Sequence, residues 1–220
     1  MAAEMNRGMI VNDEHFAYLR LQKGRLEPLS NDRKRWQVAY EHDLASSYEE
    51  MRPYLPARCW GFLDIGSGLG GIDVLLSRHY GGTPFVNMLD GEDDPPEMRL
   101  HRETFCSRRV AKDFLRVNGV RLDRIRYFSP DTPPGELRAP YDLVLSLGSW
   151  CFHYEPAVYL DAITRPGGLD QGAVLIVDLR RDKPEWAAQL SRAGFRGKAI
   201  IRDAPKYQRL VMERAWTPSA

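Results

Sequence analysis

The sequence FLDIGSGLGG, residues 62–71, joins an apolar run to four closely spaced glycines. The apolar half is typical of a short buried β-strand. In the second half, side chains would hold a ligand away from the backbone, and a turn there can require a positive φ, which glycine adopts without strain. Four glycines within six positions exceed what a simple strand-to-helix turn requires. We therefore predict that this turn binds a ligand.

Strands and helices are predicted to alternate on both sides of this turn. Apolar runs predict strands at residues 59–65, 84–90, 124–128, 141–147, 173–179, 195–201 and 208–216. Helical periodicity and flanking breakers predict helices at 32–55, 69–80, 100–118, 156–165 and 184–193. Such alternation implies parallel pairing, with right-handed crossovers that place helices on both faces of the sheet. We expect an α/β fold: a doubly wound, mostly parallel seven-stranded sheet with an antiparallel last strand.

The 220 residues are divided into two predicted parts. Residues 1–56 form an N-terminal helical arm or lid, in which Ser30 or Asn31 caps the first long helix. Residues 57–220 form a Rossmann-like domain that contains every predicted strand. The net charge is only +1, so no global positive field recruits nucleic acid, which argues against nucleic acid as a partner.

Cysteine usage and hydropathy suit a cytoplasmic protein. The three cysteines lie far apart, at positions 59, 106 and 151, and form no CxxC pair. There is no secretory signal pattern at the N-terminus and no apolar stretch of about 18 residues, so we expect no membrane span. The histidines outside the region of residues 145–154 lack metal-ligand spacing with acidic partners, which predicts no required metal.

Two kinds of ligand compete for the glycine turn. Gly66-x-Gly68-x-x-Gly71 satisfies the dinucleotide fingerprint, and Asp90, after the second predicted strand, suits ribose hydroxyls in either case. Asp64 favours the other ligand, because a carboxylate would repel a pyrophosphate but attract the ammonium and sulfonium of S-adenosylmethionine. The chain also leaves no room for the separate substrate domain of many dehydrogenases.

In its ordered set of motifs the chain resembles the class I S-adenosylmethionine-dependent methyltransferases. FLDIGSGLGG resembles their first motif, and VNMLD, residues 86–90, resembles the acidic end of their second strand. YDLVLSL, residues 141–147, resembles the fourth-strand motif, and RPGGLDQGAVLIVD, residues 165–178, resembles the glycine turn and fifth strand. The resemblance covers about residues 58–216 and identifies S-adenosylmethionine as the expected cofactor.

The resemblance implies a set of cofactor-binding residues around the turn. The backbone at positions 66, 67, 68 and 70 is expected to lie against the methionine and ribose, namely at Gly66, Ser67, Gly68 and Gly70. Asp64 would orient the amino group or, alternatively, cap the amides of the loop. Asp90 would take the ribose hydroxyls, with Leu89 and Gly91 beside the adenosine.

Adenine is expected after the third strand, beside Phe128 and Ser129, where Asp131 would accept a hydrogen bond from the amino group. Asp131 is equally well explained as a turn aspartate before Pro133-Pro134. Leu147, which ends the fourth predicted strand, is expected to border the methyl end of the cofactor.

The segment LSLGSWCFHY, residues 145–154, is expected to border the acceptor. His153 is the candidate general base, because its unperturbed pKa lies near 6.5; loop hydrogen bonding or stacking on a neighbouring aromatic ring is the alternative. Trp150 and Tyr154 would form an apolar wall for the acceptor, or would be ordinary core residues. The Asn/Asp-Pro-Pro-aromatic motif of enzymes that methylate amino groups of DNA bases is absent.

These residues favour a methyltransferase that acts on a small molecule, with O-methylation of a saccharide or another hydroxyl acceptor. Basic clusters leave RNA or protein methylation as an alternative: Arg33-Lys34-Arg35 and Arg108-Arg109, with Arg121, Arg124 and Arg126 nearby. A non-catalytic subunit that binds the cofactor or a partner is a third reading.

Overall fold

The computed structural model describes residues 8–19, 32–91, 107–132, 136–137, 140–165 and 168–215. Its helices are α1 (Asp13–Leu19), α2 (Arg33–Met51), α3 (Gly71–His79), α4 (Arg108–Val117), α5 (Ala157–Thr164) and α6 (Pro184–Arg192). Its strands are β1 (Gly61–Ile65), β2 (Phe85–Leu89), β3 (Ile125–Phe128), β4 (Tyr141–Ser146), β5 (Leu169–Arg180), β6 (Phe195–Asp203) and β7 (Tyr207–Arg214). Residues 100–106 of the helix expected at 100–118 and residue 216 of the last expected strand lie outside the described residues.

The seven strands form one sheet in the order β3-β2-β1-β4-β5-β7-β6. Only β7 is antiparallel to its neighbours β5 and β6, and the other adjacent pairs are parallel. The winding reverses between β1 and β4, and in open α/β sheets ligands bind beyond the carboxyl ends of the strands at such a point. The predicted fold class, including the antiparallel last strand, is confirmed.

Both faces of the sheet are covered by helices. Alternate strand residues enter two apolar cores, one shared with α1–α4 and the other with α5 and α6. In β1, for example, Phe62 belongs to the first core, whereas Leu63 and Ile65 belong to the second. Because successive side chains of a strand point to opposite faces, Asp64 lies on the face covered by α1–α4.

The long N-terminal helix α2 begins at a cap that differs from the expected one. Asp32 is the N-cap, and its side chain accepts a hydrogen bond from the Arg35 amide at 3.2 Å, so the prediction of Ser30 or Asn31 is wrong. A carboxylate directly before the first helical turn satisfies one of the amides that the helix leaves unpaired. Tyr40 and Met51 on this helix enter the same core as the sheet. The division of the chain at residue 56 stays a prediction.

The strand β5 begins four residues earlier than the apolar run predicts. Leu169 pairs with Tyr141, and the register then shifts before the regular ladder with β4 begins. Gly172 has a φ of 79° at this irregularity, a conformation that suits a β-bulge. The Arg214 guanidinium donates to the Leu169 carbonyl at 2.5 Å and so holds the early segment of β5 in place.

Helix α2 approaches the glycine turn at the first residue of α3. A Cβ atom at Gly71 would overlap the Tyr40 hydroxyl and the Leu44 side chain. Glycine is therefore required here for space, since its φ is ordinary. This contact fixes α2 over the carboxyl edge of the sheet.

We predict that Gly71→Ala destabilises the protein by about 1–3 kcal/mol, although alanine normally favours a helix, because α2 must move to admit the methyl group. Adding Tyr40→Phe should recover part of this loss, since it removes the atom nearest to the new methyl group. Urea unfolding of the wild type, both single variants and the double variant measures the coupling. Gly197→Ala is the control, because a Cβ there meets no atom within 4 Å and the backbone φ is ordinary. A Gly71→Ala variant as stable as the control would contradict the contact.

Candidate functional site

The turn after β1 has an unusual backbone. Gly66, Gly68 and Gly70 have φ values of 82°, 55° and 81°. A Cβ at Gly66 would in addition overlap the side chain of Ser149, which follows β4. The turn at Gly66 therefore depends on glycine both for its conformation and for the close approach of the segment after β4.

The carboxylate of Asp90 ties the end of β2 to this turn. Its Oδ2 accepts a hydrogen bond from the Gly68 amide at 2.5 Å, and its Oδ1 accepts one from the Gly91 amide at 2.7 Å. Burial raises the pKa of Asp90, and these two amides act in the opposite direction. Capping of the loop amides, which was the alternative role for Asp64, is thus carried out by Asp90.

Two carboxyl groups are buried beneath the turn. Asp64 at the end of β1 is 3% exposed, and Asp73 in the first turn of α3 is fully buried. Burial raises the pKa of Asp64 well above its usual range, and the neighbouring Asp73 and Asp90 raise it further. Burial alone raises the pKa of Asp73 to about 8, and neither of its oxygens has a hydrogen-bond partner among the described residues. No described cationic side chain forms an ion pair with either carboxyl group.

The buried Asp73 carboxyl should make stability depend on pH. Between the ordinary pKa of 3.8 and about 8, the folded protein holds a proton that the unfolded chain has released, so stability falls as pH rises through this window. We predict that Asp73→Asn flattens this fall and is more stable than the wild type at pH 8 by about 1–3 kcal/mol. Urea unfolding at pH 5 to 8 measures the effect.

The control for this series is Asp123→Asn, because Asp123 is exposed and paired with Arg121, which lowers its pKa. The stability of Asp123→Asn should fall between pH 5 and 8 as steeply as that of the wild type. A wild-type curve that stays flat from pH 5 to 8, or an Asp73→Asn variant that is less stable than the wild type at pH 8, would contradict the assignment of a buried protonated carboxyl group.

A cavity of about 340 Å³ opens beside the turn. Asp64, Gly66, Ser67 and Gly68 line it from the turn, and Leu147 lines it from the end of β4. The Ser67 hydroxyl is buried and has no hydrogen-bond partner among the described residues. Five of the predicted cofactor-binding residues therefore share one cavity.

The second wall of the cavity is a stripe of α2. Tyr40, Asp43, Leu44 and Ser47 line it, at positions i, i+3, i+4 and i+7 of one helical face. Sequence reasoning assigned this helix to an arm or lid and named none of the four as site residues. The spacing alone was visible in the sequence, but a mixed polar and apolar stripe does not reveal what it faces.

The third wall comes from the last three strands. Arg209 donates from Nε and Nη2 to the two carboxylate oxygens of Asp178, at 2.7 and 3.0 Å. Arg202 contacts both oxygens of Glu50 on α2, at 2.9–3.1 Å. Asp178, Arg202 and Arg209 line the cavity together with Tyr207. None of these residues was predicted from the sequence.

The predicted adenosine side lies away from this cavity. Leu89 is buried in the core, Phe128 is half-buried, and Asp131 is exposed. The amide of Ser129 donates to the Thr132 hydroxyl at 2.9 Å, as in a local turn. Gly70 and Gly91 do not line the cavity either.

Tyr159 on α5 is a residue that sequence reasoning missed on this side. Burial raises its pKa to about 12, and the nearby Tyr154, Asp90 and Asp131 contribute in the same direction. Its ring lies 6.3 Å from that of Trp150, and it packs against the second apolar core. Tyr159 belongs to no recognisable motif, so the sequence did not mark it.

The segment after β4 forms a tight turn whose aromatic residues differ in burial. Trp150 is fully buried, and its indole Nε1 donates to the Pro156 carbonyl at 3.1 Å, so it packs in the core. Tyr154 is 55% exposed. His153 is exposed, and its ring lies 4.8 Å from that of Phe152. Neither His153, Trp150 nor Tyr154 is among the residues that line the cavity.

The residues at the turn suit a cationic ligand with hydroxyl and amine groups. The Asp64 carboxyl lines the cavity without a cationic partner, and the Ser67 hydroxyl offers an unused hydrogen bond. The positive φ of the glycines brings the backbone close to the cavity. A pyrophosphate would meet the Asp64 carboxyl directly, and such a contact is unfavourable when Asp64 is ionised. S-adenosylmethionine fits this donor set better than a dinucleotide.

No group of three or more His, Cys, Asp or Glu side chains is placed to hold a metal ion in the described ranges. Within those ranges, no helix combines the length and apolarity that crossing a membrane requires.

No protein-family model and no curated protein matches the sequence with significance. Solved structures do match the fold. The StiE O-MT fragment of residues 961–1257 superimposes with a TM-score of 0.58 at 15% identity, over 94% of this chain and 84% of that one. A methyltransferase from Geobacter sulfurreducens gives a TM-score of 0.55 at 21% identity, over 95% of this chain and 100% of that one.

A third match is a candidate O-methyltransferase from Nostoc punctiforme PCC 73102, with a TM-score of 0.54 at 18% identity. The match covers 78% of this chain but only 56% of the Nostoc protein, so the chain spans little more than half of its length. At such identities these similarities concern the fold alone. With its strand order and antiparallel β7, the chain has the fold of the class I S-adenosylmethionine-dependent methyltransferases.

Proposed function

We propose that the protein is an S-adenosylmethionine-dependent methyltransferase that O-methylates a small molecule, either a saccharide or another hydroxyl acceptor. One observation carries the proposal: the cavity runs from the glycine turn to a polar wall on β5 and β7, beneath α2. A single space thus joins the Asp64 carboxyl, which would bind a cation, to the hydrogen-bonding groups of Asp178 and Arg209. Transfer between two bound molecules requires such a space.

The residues of the turn would hold the donor. Asp64 would bind the ammonium group, directly or through water, and Ser67 would supply a hydroxyl. Asp90 keeps the Gly68 amide in place and would also take the ribose hydroxyls. S-adenosylmethionine held there would supply an electrophilic methyl group on a positively charged sulfur.

The other walls would position the acceptor and exclude water. Helix α2 covers the cavity with Tyr40 and Leu44, which limits the access of solvent. Asp178 and Arg209 would orient the acceptor from the strand ends. Methylation of a hydroxyl also releases the hydroxyl proton, which a base such as His153 would accept.

The basic clusters give little support to RNA or protein methylation, because several of their arginines have partners within the protein. Arg33 pairs with Asp13, and Arg109 pairs with Glu14. Arg124 and Arg126 both lie over the Phe85 ring, with 4.6 Å between each guanidinium carbon and the ring centroid. These groups are engaged within the protein, so they form a weaker phosphate-binding surface than the sequence clusters suggest.

The donor site is tested by ligand-induced stabilisation. We predict that S-adenosylmethionine and S-adenosylhomocysteine raise the melting temperature and that NAD does not. Asp90→Ala should weaken S-adenosylhomocysteine binding about tenfold or more in calorimetric titration, because it removes a ribose ligand and releases the Gly68 amide. Asp123→Ala, at an exposed ion pair, is the matched control. Stabilisation by NAD, or equal affinity in the Asp90→Ala variant, would contradict the site.

Turnover distinguishes an enzyme from a non-catalytic subunit, and it also tests His153. Labelled S-adenosylmethionine is incubated with a panel of saccharides and polyols, and transfer to a hydroxyl is expected.

If His153 is the base, His153→Ala keeps the affinity for S-adenosylhomocysteine and lowers turnover about 100-fold or more. Because His153 is exposed and does not line the cavity, this role requires the turn at residues 149–154 to bring it over the acceptor. Unchanged turnover would exclude His153, and transfer only to RNA or protein would overturn the proposed acceptor.

A further inference from the structure

The strand wall of the cavity contains a buried pair of opposite charges. Arg209 is 2% exposed and lines the cavity together with Asp178, its bidentate partner. Burying such a pair costs desolvation energy that the pairing regains only in part. A hydrophobic pair at the same positions would serve the fold equally well, so the pair calls for another explanation.

One donor of this pair has no hydrogen-bond partner. The Arg209 Nη1 atom is buried, and none of the described residues accepts its hydrogen bond. Oε2 of Glu50 lies 3.5 Å from Nη1, forms an ion pair with it but no hydrogen bond, and is engaged by Arg202. An unpaired buried guanidinium N–H is costly, and an oxygen bound beside it would remove that cost.

The charges around this wall are already balanced. Asp178 and Glu50 neutralise Arg209 and Arg202 within one network. An acidic ligand would add a negative charge to a cavity that also contains the carboxyl groups of Asp43 and Asp64. A cationic ligand at this wall would instead face the Arg209 Nη1 donor, which has no hydrogen-bond partner among the described residues. A neutral ligand avoids both penalties.

We propose that Asp178, Arg209 and Tyr207 form an acceptor subsite that selects uncharged, polyhydroxylated molecules, with hydroxyls that donate to Asp178 and an oxygen that accepts from Arg209. This inference rests on the proposed function and adds the charge class of its substrate. A paired carboxylate and guanidinium offer acceptors and donors side by side, and a sugar ring presents both kinds of group on adjacent carbons. Ser47 and Tyr40 of α2 line the opposite side of the same cavity.

The test uses the full chain saturated with S-adenosylhomocysteine and calorimetric titration of matched sugars. Hexoses, pentoses and disaccharides are each offered as the neutral sugar, the corresponding uronate and the corresponding amino sugar. The subsite predicts that, in at least one series, the neutral member binds about tenfold or more tightly than both charged members. Arg209→Lys and Asp178→Asn should weaken neutral binding about tenfold and leave the affinity for S-adenosylhomocysteine within about twofold.

The control is the pair of Arg180 and Asp182, which has the same bidentate geometry at 2.8 and 2.6 Å but is exposed and does not line the cavity. Arg180→Lys and Asp182→Asn should leave all affinities unchanged. Tighter binding of a uronate or amino sugar, the absence of any neutral binding, or an Arg209→Lys variant that binds like the wild type would overturn the subsite. The wild-type selectivity decides even if a variant fails to fold. Failure to bind S-adenosylhomocysteine at all would overturn the proposed function as well.

Discussion

The burial of Asp64 and Asp73 beneath the glycine turn is the constraint from which the rest of the account follows. Neither carboxyl group has a cationic partner among the described residues, and burial raises the pKa of both. Asp64 lines the cavity, so a cation that enters there would favour its charged form. A ligand with an ammonium and a sulfonium is suited to such a place, whereas a pyrophosphate is not. The choice of cofactor thus depends on charge as well as on the glycines.

The two ends of the cavity differ in their electrostatics, and this difference organises the proposed reaction. At the β1 end, the Asp64 carboxyl has no cationic partner among the described residues. At the β5 and β7 end, opposite charges are paired in one network of Asp178, Arg209, Arg202 and Glu50. A cation would therefore settle at the first end and a neutral molecule at the second. Helix α2 takes part in both ends, since Tyr40 packs against Gly71 and Glu50 pairs with Arg202.

The fold could be predicted from sequence because its signals are local. Each central strand is a short apolar run between breakers, and the glycines of the turn mark where the chain reverses at β1. The position of Asp90 at the end of β2 was likewise foreseeable. Its hydrogen bond to Gly68 was not, because the sequence does not show which carboxylate reaches the loop amides.

The strand wall of the cavity was missed because its residues meet only through tertiary pairing. Asp178 and Arg209 are 31 positions apart and come together through the antiparallel register of β5 and β7. Arg202 and Glu50 are separated by 152 positions. For the aromatic residues after β4, the sequence left two roles open, a wall for the acceptor and ordinary core packing. Trp150 lies four residues after the end of β4, and the tight turn with Cys151 at a φ of 63° places its ring in the core.

The most direct test is a crystal structure of the protein with S-adenosylhomocysteine bound. The account predicts the amino group of the ligand beside Asp64, its sulfur above residues 66–68, and an open space that leads from the sulfur to Asp178 and Arg209. A ligand bound elsewhere, or a sulfur that faces away from the space beneath α2, would contradict it.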